Sequence, residues 1–363
     1  MQTPLKGYSF DDVFLVPKYS ELENRMEPKI GSNVCGVSLD LPIMSSPMDT
    51  VTEGNMAIFM WESGGIGIIH RYNTVNEQFS HVKWIKEFRA RVGAAIGING
   101  DGWERTQALI EAGADFLVLD VAHGHSKQAL ERIEKIKNEF PLIPLVSGNI
   151  ATPDAASASI SAGVDALRVG IGSGSVCTTR IVAGVGIPQI TAIDSARIVV
   201  DESGKEIPII SDGGIKNSGD IVKALAAGAS AVMIGGLFAS FDISAGKKYY
   251  KLLNEASPLA EMFGIKGDLP KNIMVKRYRG MASEAALSSH KRGQQFIVEG
   301  DEFEIPVTYN HKEVIKSLRD GIYSGFSYLG ARNLKELWEK AQFVEVSLSG
   351  YLESTPHYGK IFG

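Results

Sequence analysis

Sulfur is scarce in this chain. Two cysteines, Cys35 and Cys177, in 363 residues cannot build a disulfide framework, and the opening "MQTPLKGYSFDD" lacks the basic-then-apolar signature of a secretory leader. A reducing, cytoplasmic setting is expected. Long apolar runs are missing as well: the longest span about six to eight residues, against the roughly 20 that a membrane-spanning helix needs. No basic run is present, and a net charge of −5 leaves no electrostatic footprint for nucleic acid. These absences point to a soluble protein that engages neither membrane nor polyanion.

What remains is apolar and rich in glycine. With 44% hydrophobic residues and 39 glycines, the chain can bury a large core. From residue 41 onward eight short apolar runs recur: "LPIMSSP", "GIGIIH", "VGAAIGI", "FLVLDVA", "IPLVSGN", "ALRVGIG", "IPIISDGG" and "AVMIGG". Runs apolar throughout, rather than alternating, read as parallel strands buried on both faces. Amphipathic stretches of helical length separate most of them. Three end in "EAGAD", "SAGVD" and "AAGAS", where Gly113, Gly163 and Gly228 are placed to terminate a helix in the left-handed conformation. Eight such units predict an α/β fold, a (β/α)₈ TIM barrel, over an open doubly wound sheet.

On a barrel, chemistry sits where strands end. Ser45, Ser46, His70, Arg71, Asp120, Ser147, Asn149, the 170–180 loop, Asp212, Gly235 and Gly236 all fall there. Residues 241–310 break the pattern and read as a flap inserted after strand 8; helical periodicity resumes over 311–345. The strand ends "SDGG" at 211–214 and "IGG" at 234–236 let an anion approach backbone N–H groups, which suits a phosphate, or they are tight turns chosen for geometry alone. Asp212, with two acceptor oxygens, suits a ribose diol.

The stretch "GIGSGSVCTTR", residues 170–180, sets Cys177 in a flexible, hydroxyl-rich loop on this same face. A structural cysteine more naturally sits within an element, as Cys35 does. A thiolate is the attacking form, and Arg180 and the loop amides are placed to favour it, with Thr178 or Thr179 as proton relay.

The longer string "GIGSGSVCTTRIVAGVGIPQ" resembles the signature loop shared by IMP dehydrogenase and GMP reductase. The resemblance extends through "SFDDVFLVP", "LPIMSSPMDTVTE", "GGIGIIHR", "LDVAHGHS", "SGNIAT", "SDGGIK", "GGLFA" and "YRGMASE", nearly the whole chain. It implies one catalytic barrel over 1–363, without the paired regulatory domain that dehydrogenases commonly insert near strand two. It implies that Cys177 forms a thioimidate at purine C2. Ser46, Met48, Ser175, Gly214, Gly235, Gly236 and Tyr278 would contact a GMP or IMP nucleotide, Asp212 its ribose, and Gly280, Met281 and Ala282 its base. Asp120, Ala122, His123, Gly124, Asn149 and Arg168 would face the nicotinamide cofactor. A potassium ion held by the carbonyls of Gly172, Gly174 and Cys177, and a homotetramer, are further implications.

Within the family, Glu284 in "GMASE" matches the acidic residue of reductases, where a carboxyl paired with Thr179 would protonate departing ammonia. The flap "SSHKRGQQFIVEG" lacks the Arg-Tyr pair with which dehydrogenases activate water. Arg168, "VAHGHS" and "YRGM" are closer to the dehydrogenase style. The reading leans to an NADPH-dependent GMP reductase acting through Cys177, Thr179 and Glu284, with an NAD-dependent IMP dehydrogenase as the alternative. An FMN-dependent barrel oxidoreductase and a noncatalytic nucleotide binder are more distant. His123 and His125 read as cofactor-loop residues rather than metal ligands, since a third ligand is not in sight.

Overall fold

The computed structural model describes residues 4–254, 271–290 and 295–354. Eight parallel strands form its centre: Ile43–Ser45 (β1), Ile66–Ile69 (β2), Val92–Ile96 (β3), Phe116–Asp120 (β4), Leu145–Ile150 (β5), Ala166–Val169 (β6), Ile209–Asp212 (β7) and Ala231–Ile234 (β8). Each of the eight apolar runs supplies one. β8 pairs in parallel with β1, with Met233 opposite Met44, and this closes the sheet into a barrel rather than leaving it open. The strands are buried almost throughout, because helices cover one face and the barrel interior fills the other.

Helices return the chain between strands, and the expected punctuation is present. Gly113, Gly163 and Gly228 have φ of 87°, 96° and 116°, which a side chain would strain. At the other end, Thr74 caps Val75–Glu87 by accepting from the Glu77 amide while the Glu77 carboxylate accepts from the Thr74 amide.

Inside the barrel, Met44, Ile66, Ile68, Phe116, Val118, Val146, Ile210 and Met233 pack together, and a hairpin pairing Ser32–Val34 with Val37–Leu39 joins this cluster. Its tip buries Cys35, whose thiol is pushed far above its ordinary pKa by that burial. A buried, protonated thiol is inert. Every bulky side chain removed from water here contributes roughly 1.5–3 kcal/mol before entropy is counted.

The segment after β8 forms a separate three-stranded antiparallel sheet from Lys248–Leu253 (β9), Lys271–Arg279 (β10) and Glu302–Pro306 (β11). Residues 255–270 and 291–294 of the expected flap, Arg292 among them, lie outside the described residues. A fully buried amino group fastens this sheet to the barrel: Lys276 Nζ donates to the carbonyls of Thr50 (2.8 Å) and Ala245 and to Ser244 Oγ (2.6 Å). Arg279 pairs with Asp49 beside it.

The chain then runs through helices His311–Tyr328 and Leu334–Lys340, as the periodicity predicted. Phe343–Glu345, expected to be helical, instead pairs antiparallel with Val13–Leu15. Among the described residues, no helix is long and apolar enough to cross a membrane.

Candidate active site

A cavity of about 1310 Å³ opens at the C-terminal ends of the barrel strands. Pockets for one drug-sized molecule run about 300–1,000 Å³, so this one has room for two ligands side by side. Three loops make one end of it. Beyond β6, Gly170 has a φ of 150° and takes the chain so close to Asp212 that a β-carbon would collide with its carbonyl. That turn sends residues 172–177 across the mouth. A β-carbon on Gly213 would lie 2.6 Å from Ser173 Oγ, and one on Gly236 would lie 2.8 Å from Ser175 Oγ. Glycine at both positions is therefore what lets the three loops meet.

Hydroxyls gather at that junction. Ser175 Oγ and Tyr278 Oη are 3.1 Å apart, and burial pushes the Tyr278 phenol up to about 12. It stays protonated, a neutral donor beside Gly235 and Gly236, with Gly213 and Gly214 on the same cavity wall. Ser46, Met48, Gly280, Met281 and Ala282 complete this end.

Cys177 stands in the middle. Its Sγ donates to Thr179 Oγ1 at 3.2 Å, and Thr179 Oγ1 donates to Glu299 Oε2 at 2.8 Å. The carboxylate that meets Thr179 is thus Glu299 and not Glu284. Glu284 is exposed at the start of the helix Glu284–His290 and does not line the cavity. The reason is local: Glu299 is stitched in by backbone, with its N–H on the Ala282 carbonyl and its own carbonyl accepting from Thr178 N–H, each at 3.0 Å. Arg180, considered as a neighbour of the thiol, gives an Nη to the Ile187 carbonyl at 2.7 Å.

At the other end of the cavity lies a charge network. The buried Arg168 guanidinium donates to Asp120 Oδ1 at 2.7 Å and to Asp212 Oδ2 at 2.9 Å. Arg71 donates to Asp120 Oδ2 at 3.2 Å, and Asn149 Nδ2 to Asp212 Oδ2 at 2.8 Å. Burial alone would raise the Asp120 pKa, but the guanidiniums of Arg168 and Arg71 outweigh it and hold the carboxyl below its usual range. Arg168 is held charged in turn by Asp212 and Asp120 against the cost of its burial.

Asp120, Ala122, Asn149 and Arg168 therefore share the cavity wall, whereas His123 and Gly124 do not line it. Gly124 instead donates its N–H to the Asn149 carbonyl at 2.8 Å, inside the loop. The rings of His123 and His125 stand 6.3 Å apart, and among the described residues no three His, Cys, Asp or Glu are placed to hold a metal. On the 172–177 turn, the Gly174 carbonyl accepts the Cys177 N–H at 3.1 Å.

Three polar residues at strand ends turn away from the mouth. Ser45 accepts from Thr52 at 2.9 Å, Ser147 meets Ser159 at 3.2 Å, and His70 meets Glu53 at 3.2 Å. Successive strand residues point to opposite faces, so proximity to a strand end alone does not put a side chain in the site. Glu299 and Tyr72 were the residues not singled out. The signal for Glu299 was its place in "FIVEG" after the flap; for Tyr72 it was adjacency to Arg71.

A family model, the IMP dehydrogenase / GMP reductase domain, matches residues 7–357. The chain belongs to this family. It is an oxidoreductase of the IMP dehydrogenase/GMP reductase family, with the TIM barrel expected of it. It is 39% identical over 407 residues to the inosine-5'-monophosphate dehydrogenase of Cryptosporidium parvum, covering 97% of this chain and 95% of that protein. With the Borreliella burgdorferi protein of the same name it shares 36% identity over 415 residues, 97% of each chain. With that of Aquifex aeolicus (strain VF5) it shares 34% over 488 residues, 97% and 95%. The sequence motifs lean toward the reductase; these relatives carry the dehydrogenase's name.

Proposed function

We propose that this protein is an NAD-dependent IMP dehydrogenase, converting IMP, water and NAD⁺ to XMP, NADH and a proton. The chain of hydrogen bonds from Cys177 through Thr179 to Glu299 supports covalent attack by Cys177 in either direction. The observation that carries the dehydrogenase direction is the name its relatives share.

In this reading the thiol proton passes through the Thr179 hydroxyl to Glu299, and the Cys177 thiolate bonds to purine C2. A nicotinamide dinucleotide, when bound, would supply the acceptor for the hydride that C2 gives up. The thioimidate left on Cys177 must be hydrolysed, and the same pair serves again: once Glu299 has released the thiol proton to solvent, Thr179 passes it a proton from the attacking water, which returns to the sulfur as it leaves. Collapse of the tetrahedral adduct frees the sulfur and XMP. Ser175, Tyr278 and the amides of Gly214, Gly235 and Gly236 hold the phosphate. Asp212 holds the ribose, since the donors of Arg168 and Asn149 converge on its Oδ2. The backbone of 280–282 reads the base.

The dinucleotide fits the arm of the cavity lined by Arg71, Gly97, Asp120 and Ala122. Asp120 engages two guanidiniums there, but a carboxylate has about four acceptor sites, which leaves capacity for a ribose hydroxyl. The alignment to the Aquifex relative runs over 488 positions, longer than this chain, so that relative carries stretches without counterpart here. This supports a catalytic barrel lacking the regulatory domain. We extend the proposal to a homotetramer, which light scattering checks.

GMP reductase is the second reading, carried by the absence of an Arg-Tyr pair in "SSHKRGQQFIVEG", because Thr179 and Glu299 can equally return a proton to departing ammonia. Following absorbance at 340 nm separates the two. The proposal expects a rise with IMP and NAD⁺ and no change with GMP and NADPH; the opposite pattern overturns it.

A further inference from the structure

One loop touches both halves of the cavity. Arg71 and Tyr72 are neighbours after β2. Arg71 Nε donates to the Asp120 carboxylate, while Tyr72 Oη donates to the main-chain carbonyl of Met281 at 2.7 Å, across 209 positions of sequence. The Arg71 guanidinium lies 5.2 Å from the centre of the Tyr72 ring.

The loop is built to hold that phenol still. The Tyr72 N–H donates to His70 Nδ1 at 3.1 Å, so the other ring nitrogen of His70 carries the proton it shares with Glu53. The next residue, Asn73, is gripped by the buried guanidinium of Arg105, through its carbonyl at 2.8 Å and its side-chain oxygen at 3.2 Å. Arg105 is itself fixed by Gln78 at 2.6 Å and Asp101 at 2.5 Å. Burial raises the Tyr72 phenol above its ordinary pKa, so it remains a donor.

Met281 is the point from which the flap reaches the relay. Its neighbour Ala282 accepts the Glu299 N–H at 3.0 Å, and Gly280 N–H donates to Asp301, whose own N–H donates to Val176 at 2.9 Å. Residues 280–282, 299–301 and 176–178 thus form one backbone assembly that rests on the barrel at Tyr72.

We infer that Tyr72 is a positioning residue: its hydroxyl sets the height of the 280–282 strap and, through Ala282, the place of Glu299 beside Thr179. The inference rests on the dehydrogenase reading for its kinetic consequence but not for its structural one. The chemistry required of position 72 is a long, rigid donor, which phenylalanine lacks while keeping the ring over which Arg71 stacks.

The test is Tyr72→Phe in the full chain, read two ways. Amide hydrogen exchange, without ligand, should rise about 2- to 10-fold over residues 278–284 and at Glu299, the loss expected for one net hydrogen bond, with the barrel strands unchanged. In turnover, the KM for IMP should rise by a similar factor and kcat should fall, while the KM for NAD⁺ stays put because Arg71 still holds Asp120. Unchanged exchange over 278–284 overturns the inference. So does a uniform rise across the barrel, which would mark Tyr72 as a general stabiliser. If the exchange shift appears but wild type does not oxidise IMP, the dehydrogenase reading fails and the anchoring of the strap stands.

Discussion

Thr179 donates its hydroxyl to Glu299 across 2.8 Å, although 120 positions separate the two in sequence. The segment of the flap just before β11 therefore delivers a carboxylate to a loop built by β6. The pairing is possible only when the flap is seated on the barrel.

Glu299→Gln keeps the shape and an acceptor but removes the base. Turnover should fall by about 10²–10⁴, the usual worth of a positioned acid–base group, with the KM for IMP little changed. Rapid mixing checks this further: formation of the first equivalent of reduced dinucleotide should itself slow, because Glu299 also takes the proton of the Cys177 thiol. Glu284→Gln should leave kcat within about twofold of wild type, in contrast to what the sequence motif alone predicts.

Cys177→Ala should abolish turnover and still bind IMP, since the phosphate and ribose contacts lie elsewhere. Calorimetry on the variant and intact-mass measurement of trapped wild type, looking for an adduct on Cys177, check it together.

The barrel was legible because each buried strand is an uninterrupted apolar run, and because Gly113, Gly163 and Gly228 mark helix ends with a conformation other residues resist. The Cys177 loop was legible from its composition. The partner of Thr179 was not, because Glu284 and Glu299 both follow β10 and only the backbone pairing of Ala282 with Glu299 decides between them. Nor could the sequence foretell that Arg105 and Lys276 are fully buried, since a charge enters a core only where tertiary structure supplies acceptors. His70, Ser45 and Ser147 sit at strand ends like true site residues, yet local partners, and for the two serines strand alternation, turn them toward the surrounding helices instead of the cavity.

Arg168→Met would leave Asp120 and Asp212 without their shared cation. Removing one partner of a buried ion pair costs about 3–5 kcal/mol, so denaturant unfolding should show a loss of that order. Affinity for nucleotide and dinucleotide should fall together, because one guanidinium braces both carboxylates.

Lys276 gives stability a pH dependence. Burial, with the facing Lys248 as a smaller cause, lowers its pKa from 10.5 to about 7, against the pull of Asp49 and Glu53. Between those values the unfolded chain binds a proton that the folded one does not. Stability should therefore rise with pH from about 7 toward 10, by up to about 1.4 kcal/mol per unit for this group, and gain nothing from it below 7. Lys276→Met should flatten that slope in denaturant titrations repeated across the range.

The most direct measurement is turnover of IMP and NAD⁺ in H₂¹⁸O, with mass analysis of the nucleotide product. One ¹⁸O at purine C2, appearing with one equivalent of NADH and lost in rate when Glu299 is replaced by glutamine, is the predicted result. No isotope in any product, with ammonia released from GMP in the presence of NADPH instead, would contradict a relay that activates water.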